Sequence, residues 1–123
     1  AASLGCIPFR LEDAAKPRYH AAASAAANFT AASLGVAARI LADVGVPFEA
    51  TRPLVEAVVA NCFDQEPRSA LTGPIARGDT ETVAAQIAAV REMDDTIAGA
   101  FVDMARATAR FAGSSGEMRE VIG

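Results

Sequence analysis

From Ala21 to Ala38 the chain carries no charged residue, and this run is almost long enough to cross a bilayer. Whatever fold the chain adopts must therefore place one uninterrupted apolar helix. The composition of the run argues against insertion. Most of it is alanine, interspersed with Ser24, Asn28, Thr30, Ser33 and Gly35, and only Phe29, Leu34 and Val36 add substantial lipid affinity. A helix that is apolar on all sides yet weakly hydrophobic is better explained by burial within protein, so no membrane partner is expected. Pro17, with its fixed φ and missing N–H, suits the first helical turn. The helix should run from there to about Asp43, with Gly45 as a C-terminal cap and Pro47 preventing continuation.

The length of 123 residues suits one compact domain. The apolar content comes mainly from alanine, with few aromatics and no tryptophan, which favours helices packed through small side chains over a sheet of β-branched residues. The expected fold is all-α, a helical bundle around the one long central helix. Thr51 is placed to cap a second helix with Leu54, Val55, Val58, Val59 and Cys62 as its buried stripe, ending near Phe63. A short helical turn over Pro67 to Leu71 precedes the break at Thr72-Gly73-Pro74. Asp79 is an N-cap candidate for a helix with Val83, Ile87 and Val90 at helical spacing. The pattern continues through Ile97, Phe101, Met104, Thr108 and Phe111 beyond a break at Met93 to Asp95. Gly113-Ser114-Ser115-Gly116 is flexible in composition, and the residues after it read as a short terminal helix or a mobile tail. At the other end, Ile7 to Leu11 alternates as one edge strand would, and a single strand needs pairing partners in another segment or chain.

Several function classes are disfavoured by composition. The formal net charge is −4 and the arginines are scattered, which is not the footprint of a nucleic-acid binder. Cys6 and Cys62 have no CxxC spacing and His20 is the only histidine, so neither a zinc site nor a disulfide framework is indicated. The N-terminus lacks the basic and apolar regions of a secretory signal, which makes a cytoplasmic location the default.

Two sets of residues are candidates for chemistry. On a helix, His20, Ser24 and Asn28 form a polar stripe among alanines, and Tyr19 adjoins it. Buried polar groups need partners, so the stripe either forms a satisfied network inside the protein or lines a substrate cleft. In a cleft, His20 would act as general acid or base near neutral pH and Asn28 would orient a carbonyl or hydroxyl. The second set is Leu71-Thr72-Gly73-Pro74-Ile75-Ala76-Arg77-Gly78-Asp79. It joins glycines, a proline, a cation and a hydroxyl just before a helix N-terminus, where an anion is favoured and Arg77 would clamp a phosphate or carboxylate. The structural alternative is a tight connection in which Asp79 caps the helix and Arg77 pairs with a nearby acid.

Taken together, Lys16 to Ala23, Asn28-Phe29, Pro53-Leu54-Val55, the Ala70 to Asp79 string and Thr82-Val83 resemble, in order, the C-terminal domain of unknown function 2520. That domain follows a Rossmann-like NAD(P)-binding domain in proteins related to 6-phosphogluconate dehydrogenase, ketopantoate reductase and pyrroline-carboxylate reductase. The resemblance covers roughly Ile7 to Phe111. It implies a helical domain that dimerises and contributes substrate-side residues to a cleft facing the nicotinamide. Several relatives place a lysine and an asparagine one turn apart on the long helix. Here, with Asn28 as the asparagine, Ser24 stands at the lysine position, and Gln86 stands where the domain often has histidine.

On this resemblance, residues 1–13 are the residual strand and linker of a missing Rossmann domain, and 14–123 are the helical substrate and dimerisation domain. The implied function is half of an NAD(P)-dependent oxidoreductase acting on a small-molecule substrate. His20 and Asn28 are its catalytic candidates, and Tyr19, Ser24, Thr72, Arg77 and Asp79 its substrate-binding candidates. No GxGxxG follows a predicted strand, so NAD(P) is expected to bind the missing domain and not this chain tightly. The alternative is a non-catalytic ligand-binding or assembly module.

Overall fold

The computed structural model of the chain describes residues 9–123. Among them the fold is all-α, with no strand. Ile7 and Pro8 of the expected strand, and Cys6, lie outside the described residues. The rest of that stretch, Phe9 to Leu11, has no regular structure.

The chain divides into two compact units, Ala1–Leu34 and Gly35–Gly123. In the first, a 3-10 turn at Asp13–Ala15 leads into α1 (Lys16–Ala23), with Pro17 in its first turn. A π-helical stretch over Ser24–Phe29 follows, and then α2 begins (Thr30–Asp43). The helical path thus covers the span expected from sequence. The π stretch was not foreseen, because nothing in a run of alanine distinguishes i→i+5 from i→i+4 bonding. The expectation of burial within the chain is corrected: no residue of α1, the π stretch or α2 is buried. By length and composition alone, Asp13–Asp43 is also capable of crossing a membrane.

α2 ends at Gly45, which adopts φ 74°, with Val46 N–H donating to the Leu41 carbonyl and Gly45 N–H to that of Ala42. That 6→1 and 5→2 pairing is a Schellman cap. After a 3-10 turn at Phe48–Thr51 comes α3 (Arg52–Asp64). Thr51 does not cap it through its side chain; its Oγ1 donates to the Phe48 carbonyl at 2.7 Å. The stripe expected to be buried on α3 is also corrected. Val55 and Cys62 are half-buried, Leu54, Val58 and Val59 are exposed, and Phe63 is 86 % exposed.

The core of the second unit lies further along. α4 (Pro67–Ala70) packs on α3, and α5 (Pro74–Arg77), α6 (Thr80–Arg91), α7 (Asp95–Ala112) and α8 (Gly116–Ile122) pack on one another. Val83 and Ile87 from α6, Val102, Ala105 and Ala109 from α7, and Met118 and Ile122 from α8 form the buried cluster. Val83, Ile87 and Val90 are buried as their spacing predicted. On α7 the buried stripe lies one residue along from the predicted one. Ala98, Val102, Ala105 and Ala109 face inward, Ile97, Phe101, Met104 and Thr108 are half-buried, and Phe111 is exposed. Small residues there let α7 approach its neighbours closely, and the larger ones flank the contact. Of the two alternatives for the C-terminal residues the helix is observed, and it supplies the fully buried Met118.

Candidate functional site

The two candidate sets fall in different units. In the first unit, Tyr19 and His20 occupy consecutive positions of α1. Their rings meet edge-on at 5.9 Å between centroids, and Phe9 lies 5.2 Å from Tyr19 on a tilted plane. These are separations at which aromatic rings attract. Tyr19 and His20 are exposed, so the imidazole is open to a proton carrier or ligand. Ser24, half-buried, opens the π stretch, and exposed Asn28 lies just before its end. Within this unit the polar stripe needs no internal partner, because water reaches His20 and Asn28. The π stretch also changes the spacing on which the stripe was inferred. A π turn takes more residues than the 3.6 of an α-helix, so Ser24 and Asn28 are not one α-turn apart. Such turns occur frequently at functional sites.

In the second unit the Thr72 to Asp79 segment is tightly organised. Gly73 has φ 93° and Gly78 φ 75°, backbone conformations that glycine adopts without the cost a side chain would incur. Between them lies the single turn of α5, led by Pro74. It is closed by Asp79 N–H donating to the Pro74 carbonyl at 2.8 Å and Gly78 N–H to that of Ile75. Asp79 then caps α6: one carboxylate oxygen accepts from Thr82 N–H at 3.1 Å, the other from Thr82 Oγ1 at 2.7 Å. These two bonds, with a smaller contribution from the Arg77 charge, hold the Asp79 carboxyl below its ordinary value. The Arg77 guanidinium stands 3.8 Å from Asp79 Oδ2 and is largely exposed.

The structure thus pairs Arg77 with Asp79, while Thr72 is exposed. Sequence reasoning placed the Asp79 cap but missed that Thr82 binds the carboxylate through its hydroxyl as well. The Asp-x-x-Thr spacing was the available signal. The Arg77–Asp79 contact leaves most of the guanidinium free to meet an anion. Among the described residues no group of three or more His, Cys, Asp or Glu side chains gathers as a metal site would. Among the described residues no strand leads into a glycine-rich turn, the arrangement that cradles a dinucleotide's phosphates in a Rossmann domain.

The family described as Domain of unknown function (DUF2520) matches residues 1–108, which include both candidate sets in full. No curated protein and no solved structure matches.

Proposed function

Because the chain belongs to the DUF2520 family over most of its length, we propose that it forms the substrate-side and dimerisation domain of an NAD(P)-dependent oxidoreductase whose nucleotide-binding half is a separate Rossmann domain. The observation that carries this reading is the match itself, which takes in the whole Leu71 to Asp79 string. The geometry of that string is that of a tight connection, with Asp79 capping α6 and Arg77 beside it, and it leaves the guanidinium facing solvent, where it is open to an anion.

The nicotinamide, held by the other domain, would supply or accept the hydride. The residues of this chain would bind and orient the substrate and manage its proton. His20, exposed and the only histidine of the chain, would exchange a proton with the substrate hydroxyl or carbonyl. Asn28 would hold that oxygen in place. Arg77 would pair with an anionic substrate group, with Thr72 hydrogen-bonding beside it and Asp79 fixing the angle of approach. If Asn28 matches the superfamily's asparagine, Ser24 takes the place of its lysine, and the proton transfer would fall to His20.

The chain joined to its Rossmann domain should oxidise NADH or NADPH with a panel of small carbonyl substrates. H20A should lower kcat, and R77A should raise KM.

A further inference from the structure

Beside the core of the second unit, α7 and α8 border a solvent-open cavity of about 360 Å3 lined by Arg106, Ala109, Arg110, Arg119, Ile122 and Gly123. Its volume falls in the range of small-molecule sites. Three of the six lining residues are arginines and none is acidic, in a chain whose acids outnumber its lysines and arginines by 15 to 11. The three guanidiniums have different neighbours. Arg106 is occupied: its Nε donates to the Gly123 carbonyl at 2.8 Å and one terminal nitrogen to Asp103 at 2.9 Å. This arrangement ties α8 to α7. Arg110 and Arg119 make no side-chain hydrogen bond or ion pair among the described residues. The cavity floor is apolar, with Ala109 and Ile122 each 1 % exposed.

Like charges lining one concavity repel each other and together attract a counter-ion. Two forked donors with free N–H groups match the oxygens of a phosphoryl group, which accepts paired hydrogen bonds from each. An apolar floor beside them would receive an organic group attached to that phosphate. We propose that this cavity is a binding site for a small phosphorylated molecule, its phosphoryl group held between Arg110 and Arg119 and its organic part resting on Ala109 and Ile122. The site lies almost entirely beyond the family match, which ends at residue 108. It is independent of the oxidoreductase reading and would stand if that reading failed.

Phenyl phosphate is the probe, titrated into the full chain by calorimetry, with phenol and inorganic phosphate for comparison. The expected result is saturable binding of phenyl phosphate, weaker binding of inorganic phosphate and none of phenol. Arg110→Gln and Arg119→Gln should each weaken phenyl phosphate binding about tenfold or more, the cost of losing a charged hydrogen-bond donor. Arg110→Lys should restore only part of it, because an ammonium cannot donate as a fork. Arg18→Gln, in the other unit, should leave binding unchanged. Both cavity arginines are exposed, so circular dichroism should show folded variants. Equal affinity in all variants, equal loss in Arg18→Gln, or binding of phenol as tight as that of the phosphate would overturn the site. Preferential binding of a phosphopeptide or an oligonucleotide would overturn its assignment to a small molecule.

Discussion

Asp79 is the residue whose behaviour follows most directly from its surroundings. Both of its carboxylate oxygens accept from Thr82, and the Arg77 charge stands beside one of them. Its folded carboxyl therefore titrates below the ordinary value. A group depressed in this way contributes its full stabilisation above the unfolded value and loses it as pH falls through the folded one. D79N should accordingly melt at a lower temperature than the parent near neutral pH, with the difference shrinking as the pH is lowered through the acid range. Thermal melts followed at 222 nm across that range measure the gap, and a gap independent of pH would mean that the carboxylate charge contributes nothing. This cap was legible in the sequence because capping chemistry is local: an aspartate three residues ahead of a hydroxyl, behind a glycine, carries its geometry with it. The π stretch at Ser24–Phe29 was not legible, since alanine is equally at home in either hydrogen-bonding pattern. Only in a regular α-helix would His20, Ser24 and Asn28 share one face at that spacing.

At the scale of elements, the helices were legible and their buried faces only partly so. α6 matched its reading because Val83, Ile87 and Val90 are its only large apolar residues, leaving one possible inward face. α7 has apolar residues around more than half its circumference. The sequence reading followed the bulky ones, whereas packing selected the alanines that permit close approach. α8 presents the opposite case, a segment after a glycine-serine stretch that supplies Met118 and Ile122 to the core at 0 % and 1 % exposure. Its flexible-looking lead is fixed by Gly113 in the left-handed region and by Ser115 Oγ accepting from Met118 N–H. Met118→Ala should therefore destabilise the second unit by about 2–5 kcal/mol, measured by urea unfolding. A loss typical of a surface position would show that α8 is not part of the core.

For the whole molecule, the main consequence is the amount of apolar surface the chain leaves uncovered. Leu54, Val58, Val59 and Phe63 on α3 are all exposed, as is Phe29 in the other unit. Monomers seldom leave large apolar faces open, and in the proposed dimer a second copy would cover the α3 face. Light scattering after size exclusion should then give twice the chain mass. The double substitution Leu54→Glu with Phe63→Glu should give a folded monomer, as expected for changes at exposed positions. A parent that stays monomeric at high concentration would remove the dimer. A parent that instead sediments with lipid vesicles would assign the long helix to a bilayer.

The alanine surface of that helix also sets the terms on which anything can dock there. A methyl group has no rotamers to surrender, so covering it costs almost none of the side-chain entropy that lysine or methionine would lose. Any partner seated along Ala21 to Ala38 would therefore gain more affinity per unit of area than a face of long side chains allows. Discrimination between partners would rest on shape, and one added side chain in that strip would act as a wedge against every occupant.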